Sequence, residues 1–480
     1  MKKMNLLVMS LVSAAALSFT SCSSNDDLAN GNAGQEKVDG FYMTLSVQTP
    51  KSDGTRTIVN TPTVDATAAE SDVTSGTIYL VDATGKVVFT KNIAENDWKA
   101  GKPTQGNEGS TQLKIAVENV VAGDSYKVYF LANAEDAKPW ENIFTATNKF
   151  AQPYDTNKKF AMFNQNDAQV NGNGYTVTFI KANNNEANPA KVKYDGVASP
   201  IKVERVVARI DAPNPGTSTV LAEAPADASA ALKVAMKDAK EKVAEIKLLN
   251  YAVSNLANKS YVMQKWSANN KLLIPEGISY YQPTADFGGV YDYNNGGFTT
   301  TKETGVNYVF ENSSTTAPTT MYFEYQITLN KKEMTNADFK DGDYKGTFYR
   351  YNNVIYTSFE QIFKDYEGVS TLFGGGKNAT GMKTELTEAI KNEKTLAKFR
   401  QDYNIEVFKG GKTYYKHVIK DNYINGIIQR NSIYRLNINN IFNVGAQVPN
   451  GTPTENDSYF LNVTVTVNPW VLNEDNVNLQ

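Results

Sequence analysis

The 480-residue sequence contains one cysteine and one histidine, and this scarcity excludes several kinds of chemistry. A disulfide framework and a Cys/His metal site need more of these residues, and a Cys–His nucleophile pair would have to use the single copy of each. Neither sign of charge is in excess, because 48 basic and 51 acidic residues give a net charge of −3. We therefore expect no nucleic-acid partner, no metal and no cofactor.

Apolar runs long enough to cross a membrane are also missing, and the one marked apolar segment lies at the start of the chain. Met1–Ser21 has the form of a secretory signal, since two lysines precede an apolar stretch shorter than the roughly 20 residues of a spanning helix. The only cysteine, Cys22, follows Phe19-Thr20-Ser21 in a pattern that resembles a bacterial lipobox, which predicts a lipidated amino terminus. The alternative is a plain signal peptide with an incidental cysteine.

Strand patterns dominate the rest of the chain. Residues 41–48 alternate between apolar and polar side chains, and a polar loop over 50–57 follows. Short runs of the same kind recur from 77 to 210 and from about 246 to 467, with Asn/Gly turns between them and no βαβ alternation. The pattern predicts a mainly β protein of two β-sandwich domains with a few helical insertions.

Helical spacing appears at three places. Two insertions are predicted near 359–366 and 383–399, and a short amphipathic helix is predicted after a Pro- and Ala-rich junction. The apolar face of that junction helix is formed by Leu232, Met236, Ala239, Val243 and Ile246. The predicted organisation is a signal over 1–21, a propeptide over 22–56 with the first strand at 41–48, a domain over 57–211, a linker and helix over 212–242, and a domain over 243–480.

Motifs for catalysis are weak. Gly411-Lys412-Thr413 and the glycines at 374–376 both lack the remainder of a phosphate-binding loop, and both are predicted to be turns. The aspartates between 338 and 343 lack the twelve-residue pattern of a calcium loop. His417 has no triad partners that spacing can assign. We predict that the protein is not an enzyme, although the separation of a carboxylate pair for glycoside hydrolysis is a three-dimensional property.

Five segments, taken in chain order, resemble the fimbrillin family of Bacteroidia, the subunits of type V pili, and most closely its Mfa-type shaft fimbrillins. They are the lipobox, Val128–Ala134, Val203–Asp211, Arg430–Asn439 and Leu461–Trp470. The resemblance implies transthyretin-like sandwich domains and a lipidated Cys22. The acidic stretch after it, Ser23–Asp27, resembles the signal that sends lipoproteins of these bacteria to the outer face of the outer membrane; a polar tether is the alternative.

The resemblance also implies maturation by an Arg- or Lys-specific, trypsin-like protease that removes the first strand. Arg56 is the best cleavage site, with Thr57 as the new amino terminus, because it lies in a Gly/Ser/Thr loop. Lys51 is the alternative site. The apolar residues of the removable strand are Phe41, Met43, Leu45 and Val47.

A carboxyl-terminal strand of the neighbouring subunit is expected to fill the gap, and part of 459–480 is the candidate donor. Its apolar residues are Leu461, Val463, Val465, Val467, Trp470, Val477 and Leu479. Two alternatives stay open: 459–467 can be the last strand of its own domain, and the final arm can be frayed. Which part is exchanged does not follow from these residues.

The function implied is a structural subunit of a cell-surface fimbrium that supports adhesion. Its partners would be other copies of itself and other fimbrial subunits, joined head to tail. Before cleavage the lipid would hold the precursor on the outer membrane, and the protein would then move to the extracellular fimbrium. The alternatives are a tip or anchor fimbrillin, and a non-polymerising surface lipoprotein that binds a glycan or a protein.

Overall fold

Strands predominate over helices in the computed structural model, which confirms the predicted mainly β fold. The residues that the structure describes are 40–48, 70, 72–104, 107–134, 143–145, 159–164, 174–181, 184–267, 271–281, 286–287, 290–291, 299–300, 306–419, 427–449 and 461–469.

The described part of the amino-terminal region forms mostly short strands and a short helix, α1, at Glu95–Ala100. Its strands are β1 Phe41–Gln48, β2 Gly76–Val81, β3 Val87–Ile93, β4 Lys102–Thr104, β5 Asn107–Val117, β6 Ser125–Ala132, β7 Ile143–Thr145, β8 Met162–Asn164, β9 Tyr175–Thr178, β10 Ala190–Lys191, β11 Lys193–Tyr194, β12 Val197–Ala198, β13 Ile201–Arg205 and β14 Ala208–Asp211.

Two groups of these strands enclose one apolar core. The first group runs β4-β5-β1 and continues to β10 and β13, and the second contains β2, β3, β6, β8 and β9. β13 joins the groups, because its first residues pair with β1 and its last residues pair with β8. The apolar faces of β1, β2, β6 and β9 contact one another in a single buried cluster, so the region is organised around a core between strand layers.

The carboxyl-terminal region has longer strands and most of the helices. Its strands are β15 Val243–Ser254, β16 Leu256–Ala257, β17 Lys259–Tyr261, β18 Lys265–Trp266, β19 Leu272–Leu273, β20 Tyr280–Tyr281, β21 Asp286–Phe287, β22 Val290–Tyr291, β23 Thr299–Thr300, β24 Val306–Val309, β25 Thr320–Leu329, β26 Phe348–Tyr351, β27 Val354–Tyr356, β28 Glu406–Phe408, β29 Lys412–Val418, β30 Ser432–Ile441 and β31 Leu461–Pro469. Its helices are α2 Ala230–Lys242, α3 Lys331–Thr335, α4 Phe359–Asp365, α5 Ala379–Ala389 and α6 Glu393–Tyr403, with 3₁₀ turns at Leu372–Gly374 and Lys409–Gly411.

Two four-stranded sheets of this region, in the orders β24-β14-β30-β31 and β23-β15-β25-β29, contribute to one buried cluster. The sequence pattern predicts a single strand over 201–210, but the structure divides it. β13 lies in the amino-terminal layers, whereas β14 pairs in parallel with β30 and antiparallel with β24. Sheet membership therefore changes at Val206 and Val207, ahead of the domain boundary predicted at residue 211.

The junction helix is shorter than its apolar spacing predicts. Its amino terminus is capped by Ser229, whose hydroxyl oxygen accepts a hydrogen bond from the Leu232 backbone N–H at 3.2 Å. The helix ends at Lys242, and Val243 and Ile246 belong to β15, which pairs along its length with β25. Both residues are β-branched and gain a strand partner, so tertiary pairing decides a pattern that fits either structure.

A helical module interrupts the carboxyl-terminal sheet between β25 and β29. It contains α4, α5, α6 and the three-stranded sheet β27-β26-β28, which share an aromatic-rich core. The first predicted insertion corresponds to α4. The second, predicted near 383–399, consists of the two helices α5 and α6. Asn392 caps the start of α6 by accepting a hydrogen bond from the Lys394 backbone N–H.

The module contains a buried carboxylate that should give it a pH-dependent stability. Burial raises the pKa of Asp338 from 3.8 to about 6, although hydrogen bonds from the Phe359 N–H and the Tyr349 hydroxyl, both 3.0 Å, oppose the shift. The folded state therefore binds the proton more tightly than the unfolded state. The resulting stabilisation is complete below pH 3.8 and is lost as pH rises through about 6.

We expect Asp338→Asn to remove this dependence, because the amide oxygen can still accept both hydrogen bonds. The variant should be more stable than the unmodified protein at pH 7.5, by up to about 3 kcal/mol, and should match it near pH 4. Urea unfolding at several pH values measures the difference. Asp341→Asn, at an exposed carboxylate of the same loop, is the control; equal pH profiles for all three proteins would contradict the prediction.

Candidate functional site

β1 lies inside the amino-terminal sheet and not at its edge. All eight residues pair antiparallel with β5, from Phe41 opposite Val117 to Gln48 opposite Ser110. On the other side β1 pairs in parallel, first with β10 and then with β13. Because β1 has neighbours on both sides, its removal would leave two strand edges with unpaired N–H and C=O groups facing each other.

One face of β1 is fully buried in the core. The four apolar residues of the predicted removable strand have exposed fractions of 3% for Phe41 and 0% for Met43, Leu45 and Val47. The Phe41 ring lies 5.4 Å from the ring of Phe179. The structure therefore brings these four residues together as part of the core, and their removal in maturation remains a prediction.

The first described residue after β1 is Glu70. The Glu70 carboxylate is buried and accepts hydrogen bonds from the Tyr308 hydroxyl (2.8 Å) and from Arg209 Nη1 (3.0 Å). Arg205 Nε donates to the Glu70 backbone carbonyl. Burial and the bond to Glu70 raise the pKa of Tyr308, so its hydroxyl stays protonated as a donor. These contacts join Glu70 to the place where β13 passes to β14.

Two arginines in the segments that carry the family resemblance have structural roles. Arg205 is fully buried and donates from Nη1 to the Asn431 side chain at 2.9 Å. Arg430 is also buried; it forms an ion pair with Glu311 at 2.9 Å and donates to the Val262 carbonyl at 2.6 Å. Both side chains connect parts of the chain more than 100 residues apart, which local sequence patterns do not reveal.

β31 occupies a different kind of position from β1. It pairs antiparallel with β30, from Leu461 opposite Ile441 to Pro469 opposite Ser432. Among the residues that the structure describes, β30 is the strand it pairs with, so β31 forms the edge of the β24-β14-β30-β31 sheet. The backbone of the predicted donor residues Leu461, Val463, Val465 and Val467 thus lies in a strand of its own domain.

Several predicted site residues fall outside the described part of the chain. They are Cys22, Arg56, Thr57, Trp470, Val477 and Leu479. The predictions of lipidation, cleavage and a donor arm therefore stay predictions. The sequence does show that Lys51 and Arg56 are the only basic residues between Gln48 and Glu70.

The weak catalytic motifs take ordinary structural positions. The Gly411-Lys412-Thr413 segment passes from a 3₁₀ turn into β29, and His417 lies on β29 opposite Met321 of β25. In the described residues no group of three or more His, Cys, Asp and Glu side chains is placed to hold a metal ion. No helix in that part of the chain has the length and apolar character needed to cross a membrane.

Comparison with solved structures matches the chain to several proteins at low sequence identity. A fimbrilin (fimA) from Porphyromonas gingivalis W83 is 14% identical, with 91% of this chain and 99% of that chain covered and a TM-score of 0.44. A putative cell adhesion protein from Parabacteroides distasonis ATCC 8503 is 13% identical over 90% and 99%, with a TM-score of 0.45. The tip fimbrial protein Mfa3 from P. gingivalis is 11% identical over 90% and 99%, with a TM-score of 0.36.

Two family models match separate parts of the sequence, and no curated protein matches it. The model described as major fimbrial subunit protein (FimA) matches residues 42–205, which include β1 and the amino-terminal layers. The model described as major fimbrial subunit protein type IV, fimbrillin, C-terminal, matches residues 406–476, which include β30 and β31. The chain therefore belongs to the fimbrillin family, the structural subunits of cell-surface fimbriae.

Proposed function

We propose that this protein is a shaft subunit that polymerises when a protease removes β1 and a carboxyl-terminal strand of the next copy takes its place. The observation that carries the proposal is that β1 is a buried, doubly paired strand whose only covalent link to the rest of the sandwich is the segment 49–69. A cut in that segment would leave β1 attached by non-covalent contacts alone.

The energy of the vacated groove explains why a cut subunit would assemble. Complete burial of one large apolar side chain contributes roughly 1.5–3 kcal/mol, so the four buried residues of β1 contribute on the order of 6–12 kcal/mol. The total stability of a typical domain is about 5–15 kcal/mol. Since the two terms are of similar size, a subunit with an empty groove would be marginal, and a strand from a neighbour would restore both the apolar contacts and the ladders.

The two fixed ends of the cleavable segment lie close together. Gln48 pairs with Lys202 of β13, and Arg205, three residues further along β13, holds Glu70. At about 3.3 Å per strand residue, their two partners on β13, Lys202 and Arg205, lie roughly 10 Å apart. Cleavage after Arg56 would break the chain between these two contacts, so β1 could leave while the contacts that hold Glu70 stay in place.

Lipidation at Cys22 completes the proposal. The lipid would keep the precursor on the outer membrane until the protease acts, and the same cut would separate the mature subunit from its lipid and its first strand. Transport and polymerisation would then occur in order, and the head-to-tail contact would extend without closing. Adhesion would be a property of the completed fimbrium.

Treating the purified precursor with a trypsin-like protease tests this function. We expect a new amino terminus at Thr57 and a ladder of SDS-resistant multimers on unboiled gels. Mock-treated precursor should remain a monomer. A trimmed protein that stays monomeric at high concentration would contradict the proposed polymerisation and would favour the surface binding protein.

A further inference from the structure

The groove that β1 occupies imposes a residue pattern on any replacement strand. It buries four alternate side chains, in the order aromatic, long, long and short, from Phe41 to Val47. The first position is aromatic on the protein side as well, because Phe179 contacts both Phe41 and Tyr126. The outward face of β1 is half-buried and polar after its first residue, Tyr42.

The carboxyl-terminal sequence repeats this pattern once. Residues 41–48 read Phe-Tyr-Met-Thr-Leu-Ser-Val-Gln, and residues 459–466 read Tyr-Phe-Leu-Asn-Val-Thr-Val-Thr. Both begin with two aromatic residues, continue with alternate apolar and polar residues, and have valine at the seventh position. On the proposed function as its basis, we infer that residues 459–466 of a second copy are the donor, in the same direction as β1 and with Tyr459 at the position of Phe41.

Side-chain size favours this register over the one shifted by two residues. With Tyr459 in the aromatic pocket, Leu461 replaces Met43 at nearly equal volume, Val463 is one methylene smaller than Leu45, and Val465 replaces a valine. A shift of two residues would place Leu461 in the aromatic pocket and valines at the next two positions, so three of the four sites would be underfilled. Underfilled core sites cost both the lost contacts and the cavity that remains.

The reversed direction and the final arm are less suitable. Reversal would place a valine, Val467, in the aromatic pocket and Leu461 at the site of the small Val47. The final arm, residues 470–480, could also be the donor. However, any four of its residues spaced two apart, as one face of a strand requires, include Glu474 or Asp475. A carboxylate at a position that is 0–3% exposed in β1 would be buried without a partner.

The position of β31 allows the exchange. Among the described strands β31 has one ladder of backbone hydrogen bonds, with β30, whereas the β1 groove offers ladders on both sides. The last described residue before the donor segment is Pro449, and the ten residues from there to Tyr459 can extend by about 35 Å at most. This length of chain separates the donor from the segment that follows β30, so the donor can move without β30.

Disulfide trapping across β5 measures the register directly. In β1, Thr44 lies opposite Lys114, so the proposed register places Asn462 of the neighbour opposite Lys114. A shift of two residues would place Asn462 opposite Ala116, and the reversed strand would place it opposite Gln112. These three β5 residues are exposed. The natural cysteine, Cys22, is lost on cleavage at Arg56, so engineered cysteines are the only thiols in the cut chain.

Three double variants combine Asn462→Cys with Lys114→Cys, Ala116→Cys or Gln112→Cys, and each is cut, assembled and oxidised. A disulfide needs a distance of about 4.4–6.8 Å between the two Cα atoms. Directly opposed residues of paired strands meet this requirement, whereas diagonal neighbours lie about 7–8 Å apart. We expect the Lys114 pair to give multimers that survive boiling in SDS and disappear with reductant. The other two pairs should give several-fold less.

Each result has a distinct meaning. A ladder in which the Ala116 or Gln112 pair cross-links instead would overturn the register or the direction. A ladder on unboiled gels with no cross-link in any pair would overturn residues 459–466 as the donor and leave strand exchange by another segment intact. The absence of any ladder from the cut protein with its natural sequence would overturn the proposed function itself, and this inference with it.

Discussion

A precursor in which Lys51 and Arg56 are both replaced by alanine is expected to remain entirely monomeric after treatment with a trypsin-like protease. These are the only basic residues between the end of β1 and Glu70, so no other cut by such a protease can separate β1 from β2. With β1 in place, the groove stays filled and both of its ladders stay paired. The ladder of SDS-resistant multimers should therefore fall below detection.

The matched control is Arg56→Lys, which keeps a cleavable residue in the same loop and should polymerise like the unmodified protein. Amino-terminal sequencing should find Thr57 at the start of the cut control and no terminus between 49 and 70 in the double alanine variant. A ladder that forms from intact double variant would show that release of β1 is not what starts assembly.

β1 can be predicted from the sequence because the alternation that identifies it lies within its own residues, 41–48. A half-buried strand alternates with a period of two, and a shift of one residue would turn every apolar side chain of 41–48 to solvent. The alternation therefore assigned Phe41, Met43, Leu45 and Val47 to one face, and the structure buries all four. The same local reasoning suggests a strand over 459–467, and β31 lies within two residues of that range, at Leu461–Pro469.

The position of β1 within the sheet does not follow from its own residues. Its neighbours are β5, more than 60 residues later, and β10 and β13, more than 140 residues later. The contacts of Glu70 cannot be predicted from local sequence either, because its partners Arg209 and Tyr308 lie 139 and 238 residues away. A single buried glutamate in a polar stretch has no periodicity, so only the fold reveals that it fixes the end of the cleavable segment.

Two element boundaries were predicted incorrectly for a related reason. The run 201–210 combines β-branched residues with charged ones such as Lys202 and Glu204, and nothing local marks Val206 and Val207 as the place where the chain changes sheets. At 243–246 the spacing suits a helix as well as a strand, and pairing with β25 selects the strand. In both cases the long-range partner, and not local propensity, determines the structure.

Leu45→Asp in the uncut precursor is expected to unfold the amino-terminal sandwich. Leu45 is fully buried in the centre of β1; loss of a buried leucine costs about 2–5 kcal/mol, and an unpaired buried carboxylate adds several kcal/mol. Together these approach the total stability of a typical domain.

Trp98 is a suitable reporter for this change, because it is buried in the same core and stacks on Phe130 at 5.7 Å. Its emission should shift to the red in Leu45→Asp, and the urea transition of the amino-terminal sandwich should disappear. Ser46→Asp places the same charge on the half-buried face of the same strand, and it should change the transition by less than about 1 kcal/mol. Equal effects of the two substitutions would mean that the face of β1 that carries Leu45 does not complete the core in solution. The energetic argument for polymerisation, which depends on burial of that face, would then fail.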